Sequence, residues 1–186
     1  METRFLNLCV SGNLQGAQKY YQSHPNIDIV AMYDDLFSGV CLNGYLAVAQ
    51  WLHQVCPSFD DILASYEGAF CCACYNGCLH VAQWLLQVCP TINISAGNDC
   101  SFNLACVRGQ LRTAQWLQSL KPYLYVIEYD ENGKITDYKI RSKEEANWQK
   151  RKYLVWLASN DCPEENKNNL LYKLPSDVSR LIILHL

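Results

Sequence analysis

Phe70-Cys71-Cys72-Ala73-Cys74-Tyr75-Asn76-Gly77-Cys78-Leu79-His80-Val81-Ala82-Gln83-Trp84-Leu85 decides the fold, because the chain writes its skeleton four times. The copies run Phe5-Cys9-Gly12-Leu14-Ala17-Gln18, Phe37-Cys41-Gly44-Leu46-Ala49-Gln50, Phe70-Cys74-Gly77-Leu79-Ala82-Gln83 and Phe102-Cys106-Gly109-Leu111-Ala114-Gln115. Their glycines are 32, 33 and 32 residues apart, and Pro25, Pro57, Pro90 and Pro122 close the copies at a constant distance. A fixed period of this length is the mark of a chain built from one supersecondary unit used repeatedly.

Within a unit, Phe and Cys stand four apart and share a face of one helix. Leu, Ala and the residue three further on (Tyr20, Leu52, Leu85, Leu117) share a face of a second. Leu79 and Leu111 are therefore expected in the core. The glycine falls where the first helix must stop and reverse, a place that favours the left-handed conformation. One such helical hairpin leaves its apolar faces bare, so neighbouring units must stack into a quasi-linear solenoid.

The period, the run Ala-Cys-x-x-Gly-x-Leu (Ala73–Leu79, Ala105–Leu111) and the apolar second helix resemble the ankyrin repeat over roughly residues 4 to 122. The form Cys-x-x-Gly-x-Leu-x-x-Ala-Gln-Trp-Leu is similar to the ankyrin arrays of giant amoebal viruses. The resemblance implies an all-α ankyrin-repeat solenoid of four to five units. These span about 4–25, 36–57, 69–90 and 101–122, with a degenerate terminal unit at 142–163 suggested by Trp156-Leu157 and Pro163. One departure is the Thr-Pro-Leu-His start, replaced by Leu36-Phe37-Ser38-Gly39, Ala69-Phe70-Cys71-Cys72 and Ser101-Phe102-Asn103-Leu104, which leaves capping to Asp34, Asp35, Asp99 or Ser101.

Outside the period, Tyr125–Ile140 places Asn132-Gly133 between β-branched and aromatic runs, the signature of a β-hairpin inserted at 123–141. It either covers the end of the stack or takes part in recognition. Ser142-Lys143-Glu144-Glu145 reads as a capping box opening a helix to about Ala158. Residues 164–186 read as a linker and a last amphipathic helix. Leu174, Pro175, Val178, Leu181 and Ile182 in it resemble the start of an F-box, the motif that docks on the adaptor of cullin ubiquitin ligases. The competing reading is a helix that seals the solenoid.

The chain's 186 residues are 50% apolar and 18% charged, enough for a buried core. With 15 Lys+Arg against 18 Asp+Glu, the balance argues against a nucleic-acid partner, whose binding draws on clustered cations. No apolar stretch approaches the roughly 20 residues of a membrane span, and Met1–Leu14 lacks the apolar region of a signal peptide. An intracellular location, the host cytoplasm by the viral resemblance, is the expectation. All eleven cysteines are then expected as reduced thiols, with Cys9, Cys41, Cys74 and Cys106 serving as small packing residues.

Cys71-x-x-Cys74 has half the spacing of a zinc site, but no second pair follows, so no metal or other cofactor is expected. His24, His53, His80 and His185 have no orienting carboxylate at a telling spacing, and no phosphate-binding loop or nucleophile elbow is present. Trp51, Trp84 and Trp116 repeat with the period and read as packing residues. The function expected is non-enzymatic binding of a partner protein. The ankyrin resemblance implies a concave surface of loop tips and first-helix faces, which places there Tyr33, Asp35, Leu42, Asn43, Tyr66, Tyr75, Asn76, Asn98 and Arg108. The alternative is a substrate adaptor whose C-terminal segment recruits a ubiquitin ligase.

Overall fold

The computed structural model describes residues 2–56 and 62–158. In chain order these form α1 (Glu2–Val10), α2 (Leu14–Ser23), α3 (Ile29–Leu42), α4 (Leu46–Val55), α5 (Ile62–Tyr75), α6 (Leu79–Val88), α7 (Ala96–Val107) and α8 (Leu111–Leu120). Strands β1 (Tyr125–Tyr129) and β2 (Ile135–Ile140) and helix α9 (Lys143–Ala158) follow. The described part is mainly α-helical with one two-stranded sheet. Among the described residues, one compact body comprises 2–56, 62–120 and Ile127–Tyr138; a second is built on Lys121–Val126 and 139–158.

In the first body each repeat unit is a pair of helices, α1 with α2, α3 with α4, α5 with α6 and α7 with α8. Gly12, Gly44, Gly77 and Gly109 all have φ between 67° and 77°, so the reversals use the conformation that glycine adopts without a steric penalty. The first helices also pack in a row, α1 on α3, α3 on α5 and α5 on α7. What repeats in the sequence is what the row buries: the Phe, Cys and Ala positions are 0–5% exposed in every unit, as are Leu52, Leu85 and Leu117. Leu79 and Leu111 are only half-buried, which corrects their expected core placement. The buried positions of the second helices include instead the alanine three residues on and, in α4, α6 and α8, the leucine three beyond it.

An aromatic ladder runs between units. The Phe5 ring lies 6.1 Å from Trp51 of the second unit, Phe37 lies 6.3 Å from Trp84 of the third, and Phe70 lies 6.1 Å from Trp116 of the fourth. The expected packing role of the three tryptophans is what the structure shows. For Phe102 of the fourth unit the next ring is Tyr138 of β2, 6.0 Å away and edge-on. The hairpin thus supplies the contact that a further unit's tryptophan would make.

Helices α3 and α5 begin about seven residues earlier than the expected unit starts at 36 and 69. The apolar stripe Ile29, Tyr33, Leu36, Phe37, Val40 already follows helical spacing from Ile29, and the Asp28 side chain caps it by accepting from the Ala31 N–H at 3.1 Å. Asp34 and Asp35 consequently lie inside α3, and Ser101 is buried within α7, so none of the three opens a helix. Helix α7 departs from its siblings at its start, where Gly97, Asn98 and Asp99 have φ of 59°, 56° and 59°.

The hairpin turn is longer than a two-residue Asn-Gly reversal. The Gly133 N–H donates to the Asp130 carbonyl at 3.0 Å, only Gly133 takes positive φ, and the Asp130 carboxylate accepts from the N–H groups of Asn132 and Lys134. This is a three-residue connection closed by a left-handed glycine. In the second body the expected capping box is formed: the Glu145 N–H donates to Ser142 Oγ at 3.1 Å, and the Ser142 N–H returns to Glu145 Oε2 at 2.9 Å. The Ser142 N–H and the Lys139 ammonium hold the Glu145 carboxyl below its ordinary range.

Candidate recognition surface

Tyr33 and Tyr66, expected on the open surface, are each 1% exposed, and this is a correction. Each stands one helical turn before the Phe of its unit and so shares its inward face. The Tyr33 ring stacks on Phe37 at 5.0 Å, and Tyr66 lies 5.1 Å from Phe37 while its hydroxyl bonds His53 Nδ1. Burial pushes both phenols up, Tyr66 to about 12.

The other expected residues divide into stack ties and open positions. The Asn43 amide donates to the Val10 carbonyl at 3.3 Å, and the Asn76 amide donates to the Leu42 carbonyl at 2.9 Å. Both asparagines precede their unit's glycine, and both acceptors lie two before the glycine of the unit ahead. In the fourth unit Arg108 holds this position and lays its guanidinium 4.2 Å above the ring of Tyr75, which again sits two before a glycine. Asn43, Asn76 and Arg108 therefore fasten successive turns. Leu42 and Tyr75 are half-buried under these ties, while Asp35 and Asn98 are exposed. Leu174, Pro175, Val178, Leu181 and Ile182 lie outside the described residues.

Two rows on the first helices escaped the sequence reading. Val30 (57% exposed) and Leu63 (40%) occupy one register, fourteen before the glycine, and one turn later stand Asp34 and Glu67. Each carboxylate accepts from the following unit, Asp34 from the Ser65 hydroxyl and Glu67 from the Asn93 N–H at 3.0 Å. Val107, 66% exposed, ends α7. The 33-residue spacing of Val30 and Leu63 was a readable signal once α3 and α5 are extended backwards. The exposed apolar side chains thus lie near the start of α3 and α5 and at the end of α7, with Asp34 and Glu67 one turn after Val30 and Leu63.

Among the described residues, the thiols of the repeat and three imidazoles are engaged in structure. Burial pushes Cys9 and Cys106 up to about 12 and raises Cys41 and Cys74 as well, so these four stay protonated and non-nucleophilic at neutral pH. Cys78 Sγ donates to the Leu42 carbonyl, and His80 and His24 bond the carbonyls of Gly44 and Tyr20. Cys71 and Cys100 form a disulfide, which corrects the expectation that every thiol is free. The Cys71-x-x-Cys74 spacing thus joins one bridged sulfur to one core thiol, and no cluster of metal-ligating side chains occurs among the described residues. No helix there is long and apolar enough to cross a membrane.

No family model matches the chain, and no curated protein or solved structure matches it either.

Proposed function

We propose that this chain is an ankyrin-type solenoid that binds a partner protein, without catalysis or cofactor, through the open face of α3, α5 and α7. One observation carries the reading. The recurring Phe, Cys and Ala positions of all four units are consumed by the core, whereas the large apolar side chains of Val30, Leu63 and Val107, with the polar Asp35 and Asn98, remain on the surface of α3, α5 and α7. Large apolar side chains left exposed among polar ones, on a rigid row of helices, are what a protein-recognition surface needs. An intracellular protein partner, in a host cell by the viral resemblance, belongs to the same proposal.

A photo-crosslinking residue placed at Leu63 tests it against one at Gln83, which is exposed on α6. In extract of the producing or infected cell, the Leu63 probe should give adducts of discrete mass that excess unlabelled protein abolishes. The Gln83 probe should give none. Equal labelling from both positions would remove the recognition face from α5.

A further inference from the structure

The Cys71–Cys100 bridge joins α5 to α7 beside the three left-handed residues Gly97, Asn98 and Asp99. Two of these are Asn and Asp, the side-chain-bearing residues that enter that conformation most readily. Register explains why the turn forms. Asn98 stands eleven before its glycine, the position at which Tyr33 and Tyr66 are buried in α3 and α5. A right-handed helix through this point would drive an amide into an aromatic slot, and the left-handed turn leaves Asn98 in solvent instead.

The bridged sulfurs differ from the core thiols of the row, and share their partial burial with the free Cys72 and Cys78. Cys71 and Cys100 are half-buried, whereas Cys41 and Cys74, which pack the same helices, are 0% exposed. The α5–α7 contact has its own packing in Phe70, Ala73, Phe102 and Ala105, so it does not depend on the bridge. Opening the bond therefore removes the covalent tie beside the left-handed turn while the packing of the stack stays in place.

We propose that Cys71–Cys100 is a reversible thiol–disulfide site whose state holds or frees the first turn of α7. The co-reactant is a small thiol. Its thiolate attacks one Sγ and breaks the bond to form a mixed disulfide. A second thiolate displaces that cysteine, so two reductant thiols leave as one disulfide while Cys71 and Cys100 each gain a hydrogen. Oxidised small disulfide runs the exchange backwards.

The full-length protein is incubated with reduced glutathione at graded concentration, alkylated with iodoacetamide without denaturant and mapped by mass spectrometry. In parallel, amide exchange is followed over residues 94–104. Reduction should make Cys71 and Cys100 alkylatable together while Cys9, Cys41, Cys74 and Cys106 stay unlabelled. Exchange over 97–100 should quicken at least tenfold, with α3 unchanged, and oxidised glutathione should reverse both effects. The variant C100S should show the fast exchange without reductant. The proposal is overturned if Cys71 and Cys100 alkylate before reductant is added, if they resist millimolar glutathione in the folded protein, or if exchange over 97–100 ignores the bond.

Discussion

Helices α5 and α7 open on the same register and take opposite courses. The third unit places Tyr66 eleven residues before its glycine and runs a 14-residue helix through it, with the ring buried against Phe37. The fourth places Asn98 there and turns left-handed, delaying the regular helix until Cys100. One residue type at one register thus separates a helix that begins in the core from one that begins on the surface. The repeat specifies each unit from its Phe onward, and the turn before Phe is free to vary.

The largest effect that sharpens this contrast is on Tyr66. Tyr66→Ala should cost about 3–5 kcal/mol, since it empties a buried aromatic site and leaves His53 without its hydroxyl partner. Asn98→Ala should cost less than about 1 kcal/mol, because the side chain is exposed. Chemical denaturation of both variants checks the pair, and equal losses would mean that Asn98 also supports the core.

The end of the stack offers the next test. Trp116 and Tyr138 make the same kind of contact, one to Phe70 from the next helix pair and one to Phe102 from the hairpin. Tyr138→Ala should cost about 1–3 kcal/mol through the lost ring contact and apolar burial. Its extra amide exchange should stay within α7 and the hairpin, whereas Trp116→Ala should loosen α5 and α8. Spread of the Tyr138 effect to α1 would show that the units do not open locally.

Much of this architecture was legible because its causes are local. The Phe-Cys spacing, the reversing glycines, the capping box at Ser142–Glu145 and the hairpin around Gly133 each follow from a side chain acting within a few residues. Tyr33 and Tyr66 were misplaced because loop positions were carried over from the ankyrin resemblance, although the four-residue step to Phe37 and Phe70 already put each tyrosine on the inward helical face. The Cys71–Cys100 pairing and the asparagine ties were hidden for another reason. They join residues about 30 apart, and which side chains meet there depends on how one unit sits on the next.

A single substitution made in both helices reads the backbone difference directly. Gly68 is exposed within α5, and a Cβ there would meet only Ser38 Oγ at 3.8 Å, so Gly68→Ala should stabilise by about 0.5–1 kcal/mol. Gly97 has φ of 59° and the Cys100 Cβ stands 3.3 Å from where its own would be, so Gly97→Ala should destabilise by about 1 kcal/mol. Melting temperatures moving in opposite directions support the assignment; a stabilised Gly97→Ala would mean that the first turn of α7 is right-handed in solution.

The smallest effects belong to the ties between turns, where the third and fourth units differ again. Asn76→Ala removes one exposed amide bond to the Leu42 carbonyl and should cost about 0.5–1 kcal/mol. Arg108→Ala removes a guanidinium from the face of Tyr75 and should cost a similar amount. The two are told apart by coupling. Asn76 is held by a backbone carbonyl, so its loss should be unchanged when Leu42 is replaced by Ala. Arg108 is held by a ring, so in a double-mutant cycle with Tyr75→Leu, most of its contribution should vanish. If Arg108→Ala costs the same with Leu at position 75, the guanidinium owes its position to something other than the ring.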